Sequence, residues 1–138
     1  MDKNIYIKIK KLGGLKDINI LRYELYSIFT TLLFSKDLFR DNKQIKLFLE
    51  VYEIQFKDYV MKSRTLIVAK VLKKIDTSSD QQILFYSKEL EKFATLYHEN
   101  TKNLDEKNKS IKANNIYNKN KSKDNYMESL LKKYTRNR

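Results

Sequence analysis

Residues 17–34 read DINILRYELYSIFTTLLF, and this stretch decides the fold. Ile18, Leu21, Leu25, Ile28, Phe29 and Leu32 recur every three or four residues, the spacing that gathers side chains on one side of an α-helix. Asp17 stands just before the first of them, and its carboxylate suits the free amides of a helix's first turn. The spacing predicts a helix over 18–34 whose apolar stripe faces a core.

The same period continues downstream. SKDLFRDN, 35–42, holds the Ser, Asp and Asn of a connection, with Leu38 and Phe39 pinning it to the core. Asp41 or Asn42 can cap a second helix, in which Ile45, Phe48, Leu49, Tyr52, Phe56 and Tyr59 repeat at helical spacing. Ser63 either caps a third helix or lies within a continuation of the second. Leu66, Ile67, Val68, Val71, Leu72 and Ile75 supply the next apolar face. The β-branched residues at 66–68 also suit a strand, but the pattern runs on to Ile75 without a breaker. Asp76-Thr77-Ser78-Ser79-Asp80 reads as a turn and capping cluster. A fourth helix over 80–99 turns Ile83, Leu84, Leu90, Phe93, Ala94 and Tyr97 inward.

Composition agrees. The 138 residues include no proline and only two glycines, the adjacent Gly13 and Gly14. A sandwich or barrel needs many tight turns and the residues that make them. Helices of this length are marginal alone, so they must share one core. The expected fold is all-α: a compact bundle of three to four helices over 17–99. Residues 1–16, with Ile5, Ile7 and Ile9 alternating among lysines, read as a basic arm or short strand. Residues 100–125 hold eight Asn and few apolar residues, which predicts a disordered basic tail over 100–138. Within it Met127, Leu130, Leu131 and Tyr134 share a face, the mark of a short helix over 126–134 that docks or forms on binding.

Charge is the strongest functional signal. Twenty-nine Lys and Arg against 17 Asp and Glu leave +12. Residues 100–138 carry eleven of the basic residues and four of the acids, so most of the excess lies in the tail. Lys119, Lys121, Lys123, Lys132 and Lys133 there suit phosphates, which they neutralise by counterion release without reading sequence. A second cluster lies within the helical part. From Met61 to Ile75 the chain holds Lys62, Arg64, Lys70, Lys73 and Lys74 and no acid. On a helix the last three are neighbours, able to lie along a phosphate backbone or in a major groove. The competing reading is a solvated face whose lysine stems cover core residues. A helix-turn-helix stays open as an alternative, although the small residue or glycine usual in its turn is missing near Ser63. The ten Tyr and seven Phe fall mostly on core stripes, with Tyr117, Tyr126 and Tyr134 as exceptions.

Other chemistries find little to work with. No cysteine is present, and His98 is the one histidine, expected at a helix end in a structural or surface role. Adjacent glycines make no phosphate loop, and no nucleotide or zinc motif occurs. Neither enzyme activity nor a cofactor or metal is expected. No apolar run approaches a membrane span, and MDKNIYIKIKK is no signal peptide, so a cytoplasmic protein without a membrane partner is expected.

The block LFRDNKQIKLFLEVYEIQFKDYVMKSRTLIVAKVLKKI, 38–75, resembles plasmid-partition proteins encoded on the plasmids of Borrelia-type spirochaetes, most of all in FKDYVMKSRTLIVAKVLKKI, 56–75. The resemblance implies a non-enzymatic DNA-binding accessory role in plasmid partition or maintenance beside a partition ATPase. It brings no catalytic residues, and the tail lies outside it. A second resemblance is to the small helical subunit of type III CRISPR ribonucleoprotein complexes, through Ile20–Ile28 and the aromatic helix Leu84–Tyr97. It implies an RNA-contacting assembly subunit, although about forty residues follow that last helix here.

Overall fold

Polar side chains fix where the principal helices begin. The computed structural model describes residues 3–109 and 130–131. Asp17 opens α2 (Ile18–Phe34), its carboxylate accepting from the Asn19 amide at 2.9 Å. Asp41 opens α3 (Asn42–Glu50) by accepting from Gln44 N at 3.2 Å, and Ser63 opens α5 (Arg64–Asp76) by accepting from Leu66 N at 3.3 Å. Before α6 (Asp80–Lys109), Ser79 Oγ accepts from Gln82 N while Gln82 Oε1 accepts from Ser79 N, a reciprocal capping box. A single turn, α4 (Asp58–Met61), precedes α5. Among the described residues the protein is all-helical, with no strand.

The short-strand alternative for the N-terminus is corrected. Residues Lys3–Lys10 form helix α1, followed by a 3₁₀ turn over Lys11–Gly14. Ile5, Ile7 and Ile9 alternate, but Ile5, Ile9 and Leu12 also follow a helical period. Packing decides between the two: Ile9 and Leu12 are buried in the core, Ile5 packs against it, and Ile7 faces outward. Strand preference yields here to the helical surface offered by α2 and α6.

The core is one cluster drawn from every principal helix. Its aromatic centre is Phe48, whose ring lies 5.0 Å from Phe39 and Tyr52 and 4.8 Å from Phe93, centroid to centroid. The edge-on arrangements with Tyr52 and Phe93 set ring edges against ring faces. Leu84 and Tyr59, expected inside, are exposed, whereas Tyr86 is buried.

Helix α3 stops earlier than its apolar period suggests. The Ile54 amide donates to Leu49 O and the Glu53 amide to Glu50 O, with Glu53 at φ 61°. This is a Schellman ending with Glu where glycine is usual. The left-handed conformation costs a residue with a Cβ on the order of 1 kcal/mol. Glu53→Gly is therefore expected to raise stability by about 0.5–1 kcal/mol, read as a higher urea midpoint.

Helix α2 locks onto the end of α5. Arg22 Nη1 donates to the carbonyls of Ile75 (2.6 Å), Asp76 (3.2 Å) and Ser78 (3.0 Å), and Nη2 pairs with Asp80 at 3.7 Å. Ile75 and Asp76 belong to the last turn of α5, where carbonyls lack the i+4 partners of a continuing helix, and Ser78 lies in the link beyond it. Tyr26 Oη donates to Asp76 Oδ1 at 2.9 Å. Burial at this contact, with the Asp76 carboxylate, raises the Tyr26 hydroxyl above its ordinary value. Arg22→Ala is expected to cost about 2–3 kcal/mol in thermal unfolding, with Arg22→Lys restoring only part, because one ammonium cannot span the same carbonyls.

Helix α6 runs past Asn100, where the sequence reading ended the domain. Elongating a nucleated helix costs little, and Lys, Leu and Glu favour it. His98 thus lies inside α6 rather than at its end, stacked on Tyr6 of α1 at 4.5 Å. Leu130 and Leu131 are helical and buried in the core cluster, so the tail docks at this point. The remainder of the expected tail, including the rest of 126–134, lies outside the described residues.

Candidate nucleic-acid interface

The basic cluster of 61–75 resolves into two kinds of residue. Arg64, at the start of α5, is half-buried; its Nη2 donates to the Phe39 carbonyl at 2.7 Å, and Nη1 is buried without a hydrogen-bond partner among the described residues. It ties α5 to the connection before α3, so its first role here is internal. Lys62 is exposed in the link between α4 and α5. Lys73 and Lys74 are exposed, and Lys70 is half-buried one turn earlier.

Helix geometry makes Lys70, Lys73 and Lys74 mutual neighbours, since residues three and four apart are adjacent on a helix surface. Ile67, Val68, Val71 and Ile75 hold the opposite side of α5 in the core. None of the three lysines pairs with an acid among the described residues. Lysines in a last helical turn often serve the helix's own C-terminal carbonyls. Here other groups do that. Thr77 Oγ1 donates to Lys73 O at 3.1 Å, Ser78 Oγ to Lys74 O at 2.5 Å, and Arg22 covers the carbonyls beyond. The ammonium groups are left to solvent or to a partner.

Lys119, Lys121, Lys123, Lys132 and Lys133 lie outside the described residues. In sequence, Lys132 and Lys133 follow directly on the buried Leu131.

The basic arm read in the sequence over 1–16 is a further basic element, though none of its lysines was singled out as a site residue. Residues 3–16 hold five lysines and no acid. Once α1 forms, Lys8 reaches across to α2, 3.4 Å from Glu24 and 2.6 Å from Ser27 Oγ, while Lys10 lies over the Tyr6 ring and bonds to Thr95 of α6. Lys3, Lys11 and Lys16 stay exposed.

Elsewhere, a cleft of about 240 Å³ is lined by Lys46, Leu49, Glu50, Ile54, Gln55, Phe56 and Met61. No group of three or more metal-binding side chains occurs among the described residues, and no helix there is long and apolar enough to cross a membrane. No protein-family model, curated protein or solved structure matches the chain.

Proposed function

We propose that this is a non-enzymatic accessory protein that binds the phosphate backbone of DNA and acts in plasmid partition or maintenance. The observation that carries the reading is the outer face of α5, where Lys70, Lys73 and Lys74 stand together without an acid between Lys62 and Ile75. Three ammonium groups on one rigid element can displace counterions from neighbouring phosphates at once. Lys62 extends the face toward α4, and the tail lysines Lys119, Lys121, Lys123, Lys132 and Lys133 add affinity that is indifferent to sequence. The plasmid-partition resemblance over 38–75 covers α5 up to Ile75, and it implies a partition ATPase as a protein partner.

The test is an anisotropy titration of labelled duplex DNA with protein stripped of nucleic acid. Binding is expected in dilute buffer, falling steeply as salt rises. A folded protein that leaves the duplex free in dilute buffer refutes the proposal.

A further inference from the structure

Helix α2 presents to solvent a stripe that differs from the rest of this highly charged chain. Its exposed residues are Asn19, Ile20, Tyr23, Ser27, Thr31 and Phe34, and none carries a charge. The two charged residues of α2 are committed sideways, Arg22 to the end of α5 and Glu24 to Lys8 of α1. Tyr23 is 67% exposed and Phe34 45% exposed. At 1.5 Å per residue they stand about 16 Å apart along the helix.

The neighbours of this stripe are basic on both sides. Lys8, bonded to Glu24 and Ser27, marks the α1 side, where residues 3–16 carry lysines and no acid. Tyr26, bonded to Asp76, marks the α5 side, where Lys73 lies one turn before Asp76. Tyr23 stands between these two rows, with its ring centroid 6.1 Å from that of Tyr26. Of the nearby acids, Glu24 pairs with Lys8 and Asp80 with Arg22, while Asp76 keeps its charge and accepts from Tyr26.

Exposed aromatic rings on an uncharged floor between lysine-bearing elements suit a strand whose bases are unpaired. The rings meet base faces while the ammonium groups follow the phosphates. A duplex offers no free base face to a ring on a convex helix. We infer that the α2 stripe, with Tyr23 as the stacking platform, binds single-stranded nucleic acid between α1 and α5. The inference rests on the nucleic-acid reading above and adds an unpaired strand to the duplex as a ligand.

The chain has no tryptophan, so Tyr23→Trp introduces a single reporter. In the full-length protein, oligothymidine is expected to quench its emission, and a duplex of equal length is not. Tyr23→Ala is expected to weaken oligothymidine binding roughly tenfold while duplex binding holds, with Tyr23→Phe restoring the loss. Equal losses on both polymers, or no loss on the single strand, overturn the inference while the duplex reading stands. Trp emission that shifts with protein concentration alone assigns the stripe to a second copy and also overturns it. If the unsubstituted protein binds neither polymer, the nucleic-acid reading itself falls.

Discussion

Reversing Lys70, Lys73 and Lys74 to Glu is expected to weaken duplex binding by on the order of a hundredfold or more at moderate salt. The change removes three phosphate contacts and puts repulsion in their place on one helix face. Reversing three exposed lysines on other elements, Lys36, Lys46 and Lys88, alters net charge equally. That control is expected to cost no more than roughly tenfold, because it weakens only the long-range field. Comparable losses in the two triple variants would show that net charge, not the α5 face, governs binding. Acids in the last turn of α5 also oppose the helix dipole, by about 0.3–1 kcal/mol each. The Lys→Ala triple avoids that cost, and circular dichroism checks the fold of both.

The second large effect concerns the tail. A disordered, dispensable extension could be removed without consequence, but Leu130 and Leu131 are buried in the shared core. Replacing a buried leucine by alanine costs about 2–5 kcal/mol. Leu130→Ala with Leu131→Ala is therefore expected to lose several kcal/mol, a large fraction of the roughly 5–15 kcal/mol that holds a domain together. Truncation after Lys109 removes the same two side chains and is expected to be at least as damaging. Unchanged melting of either variant would show that the leucines do not support the fold. The double variant keeps every tail lysine, so it separates anchoring from charge. Its effect on DNA binding, measured below its melting temperature, reports how far docking positions Lys132 and Lys133.

Much of the fold could be read from local chemistry. Asp17, Asp41 and Ser63 cap the helices their positions suggested, and the stripes of α2 and α5 face the core. What escaped reading depends on residues distant in sequence. Ile5, Ile7 and Ile9 fit two periods, and only contact with α2 and α6 selects the helical one. The end of α3 has no glycine to announce it, because Glu53 takes the left-handed conformation instead. Leu130 and Leu131 were legible as part of an apolar face over 126–134 that could dock, but the polar stretch around them does not show which core they join. The candidate site was visible as an acid-free run of basic residues. That Arg64 turns inward to the Phe39 carbonyl, 25 positions earlier, could not be seen from the run itself.

The most direct measurement is the salt dependence of duplex binding in the unsubstituted protein and in the Lys70→Ala, Lys73→Ala, Lys74→Ala variant. Each lost phosphate contact lowers the slope of log affinity against log salt by about 0.9, so the variant's slope is expected to be shallower by about 3. Two parallel lines would contradict the account, because those three lysines would then touch no phosphate.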